Sequence, residues 1–374
     1  MKQQNQSKPY YSSKDASEFR SDEMDLQELF RVLWKGKFTV ICVAVFFLIV
    51  STCFAFLTQE WWSASAKISE AQPQDLSSYQ QQVKQFQPVF NLYQDDGTVL
   101  LSKELDVLVD PTVLFERFVN TFNASNNKRA FLDGNDEFQT FKNSLSNNTS
   151  QVTDDAIRVL YAEWLERIEA SITDARDRNS PYVISFQTMT QESSSDLLES
   201  YISITETKVH QDAFNNLQAV VNGKRNELTH QKKILEAQAN NQLLVETERT
   251  KYAMDIARAA GVEHPIQTGN DKELFGIDLG SKGLEAKVQA LESIKNLSVI
   301  EPRLQQVDAK LNMLNNLRIN RDVEFQTFRY IENVEQPTTR DKPKRALIII
   351  LGTFFGCILG MLIVLARCLF IAKS

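Results

Sequence analysis

Residues 38–57, FTVICVAVFFLIVSTCFAFL, run without a single charge. At about 1.5 Å per residue they make roughly 30 Å of helix, the thickness of a bilayer's hydrocarbon core. A second such run, ALIIILGTFFGCILGMLIVLA, occupies 346–366. Two spans therefore bracket almost the whole polar chain. A secretory signal peptide is the competing reading of the first run, but it would start near residue 1 and end in a small-residue cleavage site. Here a long polar leader precedes the run and Trp61 and Trp62 follow it. A buried core helix, the competing reading of the second run, fits neither its length nor its lack of charge.

Between the spans lie about 288 residues, enough for a substantial core. The net charge of −7 is concentrated there, because the leader carries seven basic and six acidic residues and the tail adds Arg367 and Lys373. An acidic loop without a basic stripe argues against a nucleic-acid partner. All four cysteines, Cys42, Cys53, Cys357 and Cys368, lie in or beside the spans, so the loop has no disulfide framework or thiolate metal site. Only 12 Gly and 9 Pro interrupt the chain, which predicts long helices.

Residues 1–24 are polar and without periodicity, the pattern of disorder. Asp25 is placed to cap a short helix in which Leu26, Leu29, Phe30, Leu33 and Trp34 form one apolar stripe along the membrane surface. Arg31, Lys35 and Lys37 precede the span and by positive-inside logic put both termini in the cytoplasm and the loop outside, with Trp61 and Trp62 as outer-interface anchors. Lys342, Lys344 and Arg345 flank the second span on the outer side and oppose that assignment. The first helix usually dominates, and large domains translocate largely regardless of charge.

Alternation of Trp62, Ala64, Ala66 and Ile68 with polar residues predicts a strand. Helical pieces are expected over 76–92, 99–122 and 154–177, punctuated by Asn/Ser runs at 123–127 and 143–150. Further strands are expected over 182–189 and 323–334. Residues 193–260 contain no Pro and one Gly, Gly223, while Leu217, Val221, Leu228 and Leu235 recur at half-heptad or heptad spacing. A continuous helix there would reach roughly 100 Å. It should end at the Gly261, Pro265, Gly269 cluster. A return helix from Gly283 follows, with Leu304, Val307, Leu311, Leu314 and Leu317 stepping by three and four as a packing seam.

His210, His230 and His264 lack metal-site spacing. No P-loop, dinucleotide fingerprint or nucleophile elbow occurs, so no catalytic residue, cofactor or metal is assigned. A carboxylate pair for sugar chemistry needs no sequence spacing and stays open.

The two ends together resemble the bacterial polysaccharide co-polymerases, the O-antigen chain-length determinants called Wzz. The residues that carry this are Asp25, Leu26, Leu29, Leu33, Trp34, Lys35, Gly36 and Lys37 before the first span, and Pro337, Pro343, Lys344, Gly352, Gly356 and Gly360 around the second. One proline usual in the family is missing from 339–342. YAMDIARAAG at 252–261, His264-Pro265 and Asp278-Leu279-Gly280 are similar to the arm tip of long-chain members and of the related enterobacterial paralogue. The resemblance implies a non-catalytic, ring- or bell-shaped homo-oligomer of about eight or nine protomers in the inner membrane. It would act with the O-antigen polymerase on a lipid-linked polysaccharide to set its modal length. With only eight residues after the second span, the chain resembles the class without a kinase domain. A two-span periplasmic sensor and an envelope transport accessory protein are the alternatives.

The expected architecture is α+β, a membrane-proximal α+β base with a long helical periplasmic arm, flanked by two transmembrane helices. Its segments are a cytoplasmic tail (1–37), first span (38–57), first part of the base (58–192), arm and return helix (193–322), return strand and proline segment (323–345), second span (346–366) and cytoplasmic tail (367–374).

Overall fold

The computed structural model of the chain describes residues 31 and 33–372 apart from 95, 149–153, 178–179 and 267–274. It comprises two compact units, one made of the chain up to Trp62 with the chain from Thr338 onward, the other of Ser63–Pro337. The first unit opens with helix α1 (Lys37–Leu57), in which only Ser51 and Ala55 are buried. Phe38, Phe46, Phe54 and Leu57 are all more than 60% exposed. A helix that is apolar all round yet buries one narrow face suits lipid and not a protein core.

The second unit is built on a four-stranded sheet in the order β4 (Ile168–Ile172), β5 (Tyr182–Thr188), β1 (Trp62–Glu70), β6 (Phe328–Glu335). β1 (Trp62–Glu70) buries Ala64, Ala66 and Ile68 on one face, as its alternation predicts. It leads to α2 (Ser77–Lys84) and α3 (Gln87–Phe90), then to a short antiparallel hairpin of β2 (Leu92–Tyr93) and β3 (Val99–Leu100). Helices α4 (Pro111–Asn123), α5 (Ser125–Asp133), α6 (Asp136–Asn148) and α7 (Asp154–Leu165) follow. Asp110 caps α4 by accepting from the Thr112 N–H, with Pro111 at the first position where its missing N–H costs nothing.

Several sequence expectations are corrected here. The helix expected over 154–177 stops at Leu165, and β4 (Ile168–Ile172) pairs antiparallel with β5 (Tyr182–Thr188). Leu160, Tyr161, Trp164 and Ile168 keep a helical rhythm across that boundary, which hides the short strand in which Ile168 and Ala170 point inward. The helical pieces expected over 76–92 and 99–122 are interrupted by the hairpin and by a 3-10 turn at Asp106–Val109. The Asn/Ser run at 123–127 does not break helix throughout, since α5 begins at Ser125. The last strand, β6 (Phe328–Glu335), begins five residues later than expected.

Between β5 and β6 runs α8 (Gln191–Ala259), 69 residues long, or about 100 Å. Thr190 caps its start by accepting from the Ser193 N–H at 3.1 Å. It ends where Gly261 adopts φ +70, the Val262 N–H reaches the Ala257 carbonyl and the Gly261 N–H reaches that of Arg258. This double bond pattern satisfies the orphan carbonyls of a helix end and needs glycine at the left-handed position. Leu217, Val221, Leu228 and Leu235 are all buried. The return path is α9 (Gly280–Ser293), a non-helical stretch with a 3-10 turn at Leu297–Val299, and α10 (Arg303–Asn316). It is thus two helices, and it starts at Gly280, three residues before the expected Gly283. The expected break at Gly269 lies outside the described residues.

The chain closes with α11 (Arg345–Ala372), which packs on α1. The two are long and apolar enough to cross a membrane.

Candidate functional site

Three arrangements bring the singled-out residues together. The first is the α1–α11 pair. A β-carbon at Gly356 would stand 2.7 Å from Phe47 Cβ and 3.1 Å from Ala44 Cα, and one at Gly360 2.9 Å from Val40 Cα. Gly352 meets Ser51 and Gly36 meets Val364 just as closely. The three glycines of α11 thus lie along one face against α1, where any side chain would force the helices apart.

The second lies where the chain leaves and re-enters this helix pair. Glu60 accepts from Arg340 at 2.9 Å and, through the same oxygen, from Arg345. The Arg345 guanidinium also sits 4.2 Å from the Phe56 ring centroid and donates through Nε to the Ala55 carbonyl at 3.2 Å. The Trp61 N–H donates to the Lys342 carbonyl and the Asp341 N–H to the Trp61 carbonyl, both at 2.9 Å. Pro343 is buried, Trp61, Trp62 and Pro337 are half-buried, and Lys344 is exposed. On the other side of the pair, Trp34, Lys35 and Lys37 are exposed, with the Lys37 ammonium 5.3 Å from the Trp34 ring centroid. Asp25, Leu26, Leu29 and Phe30 lie outside the described residues.

The third arrangement is the seam of α10 against α8 and α3. Leu304, Val307 and Leu314 are buried, at 3%, 4% and 1% exposure, whereas Leu311 and Leu317 pack against the same cluster only partly covered. The stripe is therefore narrower than its spacing implied. Lys310, which the helical wheel puts off the stripe, is half-buried: its ammonium donates to the Asn91 carbonyl at 2.7 Å and lies over the Tyr93 ring. Burial holds its pKa below the usual lysine value. Arg225 donates to the Leu314 carbonyl at the end of α10, and Lys232 pairs with Asp308 at 2.7 Å. Further along, Lys251–Glu292 and Lys287–Glu246 pairs tie α9 to α8.

Sequence reasoning passed over a polar groove of about 530 Å³ beside the sheet. Ser203, Glu206, Thr207 and His210 face it from one side of α8, Asp75 and Gln326 from the other side. His210 stacks on Phe325, ring centroids 4.2 Å apart, 3.9 Å from the Glu206 carboxylate. Burial pushes the imidazole pKa down and that of Glu206 up. The 203, 206, 207, 210 spacing was the available signal, but it is indistinguishable from a solvated polar face. Among the described residues no three His, Cys, Asp or Glu are grouped to hold a metal ion.

Family models match both ends of the chain: "Chain length determinant protein", Wzz, over residues 22–106, and "G-rich domain on putative tyrosine kinase" over 303–369. The first contains α1 and β1, the second α10, β6 and most of α11, so each takes in one span. The amino-terminal part of the chain is thus similar to the chain length determinant family. Relatives include the ferric enterobactin transport protein FepE of Escherichia coli, 25% identical over 90% of this chain and 86% of that protein. The ECA polysaccharide chain length modulation protein of Salmonella typhimurium is 23% identical over 92% and 95%, respectively. The same fold is seen in a full-length bacterial polysaccharide co-polymerase, with a TM-score of 0.61 and 21% identity over 94% of this chain and 99% of that one. With two helices long and apolar enough to span, the protein is a two-pass membrane protein, and the α+β unit lies between its spans in the chain.

Proposed function

We propose that this chain regulates the length of lipopolysaccharide O-antigen as a non-catalytic scaffold that acts with the O-antigen polymerase on its lipid-linked product. The observation that carries this reading is the agreement, from the first span to the second, with the fold of a polysaccharide co-polymerase. The names of its chain-length relatives support it. The unit between the spans is periplasmic and both termini are cytoplasmic, in the inner membrane. Copies of the chain assemble into a closed ring of eight or nine protomers, and the membrane helices, the seam and the proline segment serve that assembly. Its segments are those set out from the sequence, with residues 193–322 as the arm.

Deleting the gene is expected to shift the modal band of the lipopolysaccharide ladder, with recovery on complementation. Unchanged ladders would overturn the reading. A change confined to the ECA polysaccharide, the substrate named for two relatives, would keep the mechanism and change the glycan. The name of the FepE relative favours a second reading, an accessory role in ferric siderophore transport; loss of ferric enterobactin uptake in the deletion strain with normal ladders would select it. A periplasm-active reporter fused at Gly261 should be active, and activity of only a cytoplasmic reporter there would reverse the topology.

A further inference from the structure

The basic residues before α11 oppose the charge rule that orients the first span, and the assembly role of the proline segment does not account for their charge. Four cations, Arg340, Lys342, Lys344 and Arg345, lie within six residues, together with Asp341. The structure divides them into two pairs. Arg340 and Arg345 share Glu60, so one carboxylate serves two guanidiniums. Among the described residues no carboxylate pairs with Lys342 or Lys344, both exposed. The segment that carries them is nonetheless fixed: its backbone bonds to Trp61 on both sides of the bridge, and Pro343 between the lysines is buried.

We propose that Lys342 and Lys344 form a seat for the phosphate groups of anionic lipid headgroups at the membrane boundary of the second span. The location follows from the chain, since Arg345 begins the apolar helix and the Trp61 backbone lies alongside Lys342. Phosphate is the anion a bilayer presents at that depth, and a lysine ammonium suits it as a compact point charge with three donors. Glu60 sets the size of the seat by withdrawing the two arginines from it. This surface is independent of any role in chain length.

The test uses the full chain in a Trp34→Phe background, in phosphatidylcholine vesicles containing a fixed fraction of brominated phosphatidylglycerol or of brominated phosphatidylcholine. Trp164, wholly buried, adds the same signal to every sample, so the difference in tryptophan quenching reports the preference of the Trp61–Trp62 boundary for the anionic lipid. The unaltered boundary should prefer it. Changing Lys342 and Lys344 to Gln should reduce the preference about fivefold per lysine. Glu60→Gln, which releases two guanidiniums, should increase it. A double-lysine variant that keeps the full preference, or a Glu60→Gln variant that does not exceed the parent, overturns the proposal. Inorganic phosphate at matched ionic strength should leave the ratio unchanged, and its collapse would assign the seat to a free anion and overturn the lipid reading.

Discussion

The molecule contains two helix-on-helix packings that solve the same problem with opposite residues. Where α10 meets α8, contact is made by Leu304, Val307 and Leu314, and the flanks carry ion pairs such as Lys232–Asp308. Where α11 meets α1, contact is made by Gly352, Gly356 and Gly360, and the large side chains face outward. In water, removing leucine from solvent drives association at about 25 cal/mol per Å². Lipid tails are as apolar as leucine, so burying one there gains nothing, and helices associate through the close approach that glycine permits. The same change of residue size should therefore act with opposite sign in the two places.

The sharpest way to break the comparison is a charge in the aqueous seam. Leu314→Asp places a carboxylate at a position 1% exposed and is expected to cost about 3–5 kcal/mol. Exposed Asn312→Asp on the same helix should change stability by less than about 0.5 kcal/mol. Thermal melting of both variants checks this, and equal behaviour would mean that α10 and α8 do not pack along this seam. Next comes enlargement in the membrane pair. Gly356→Leu should weaken the α1–α11 contact by about 1–3 kcal/mol, leave the protein in the membrane and disturb the ladder. A ladder identical to wild type at normal expression would mean that close approach is dispensable.

A smaller effect is expected at Lys310. Lys310→Ala leaves the Asn91 carbonyl without its donor and should cost about 1 kcal/mol, against almost nothing for exposed Gln306→Ala. Urea midpoints would separate the two. The smallest effect concerns pH. The folded pKa of His210 is depressed, so between that value and the ordinary 6.5 the unfolded chain binds more protons and stability falls as pH falls. The folded pKa of Glu206 is raised, so its contribution is lost as pH rises through that value. Glu206→Gln should then raise the melting temperature slightly at pH 7 and less at pH 4. The reverse order would mean that the carboxylate is stabilised by a partner.

The sequence made the membrane pair legible almost completely, because an uncharged run long enough to span has few other fates and a G-x-x-x-G-x-x-x-G pattern puts its glycines on one face. The long helix was equally visible, since nothing in 193–260 stops it. The base was harder to read. β4 is five residues long and follows a helix whose apolar rhythm runs into it; only pairing with β5 decides its state. Lys310 shows the same limit at one residue: a wheel drawn for α10 exposes it, but the end of α3 supplies the Asn91 carbonyl and the hairpin after it the Tyr93 ring. Burial set by a segment distant in sequence leaves no mark on local periodicity. The double pairing of Glu60 likewise joins residues about 280 apart in sequence, beyond the reach of any spacing argument.

The bridge between Trp61 and Lys342 has a topological consequence. Chain going out and chain coming back are hydrogen-bonded neighbours there, and β1 and β6 continue as an antiparallel pair, Ser65 opposite Glu335 and Ser69 opposite Arg329. Everything between them is an insertion whose two ends are already side by side. Insertions with adjacent ends exchange readily, because the host closes the same short gap whatever the inserted length. Relatives could therefore trade the whole cassette between the spans at these positions without relengthening a linker, so that membrane anchor and inserted domain could evolve as separate modules.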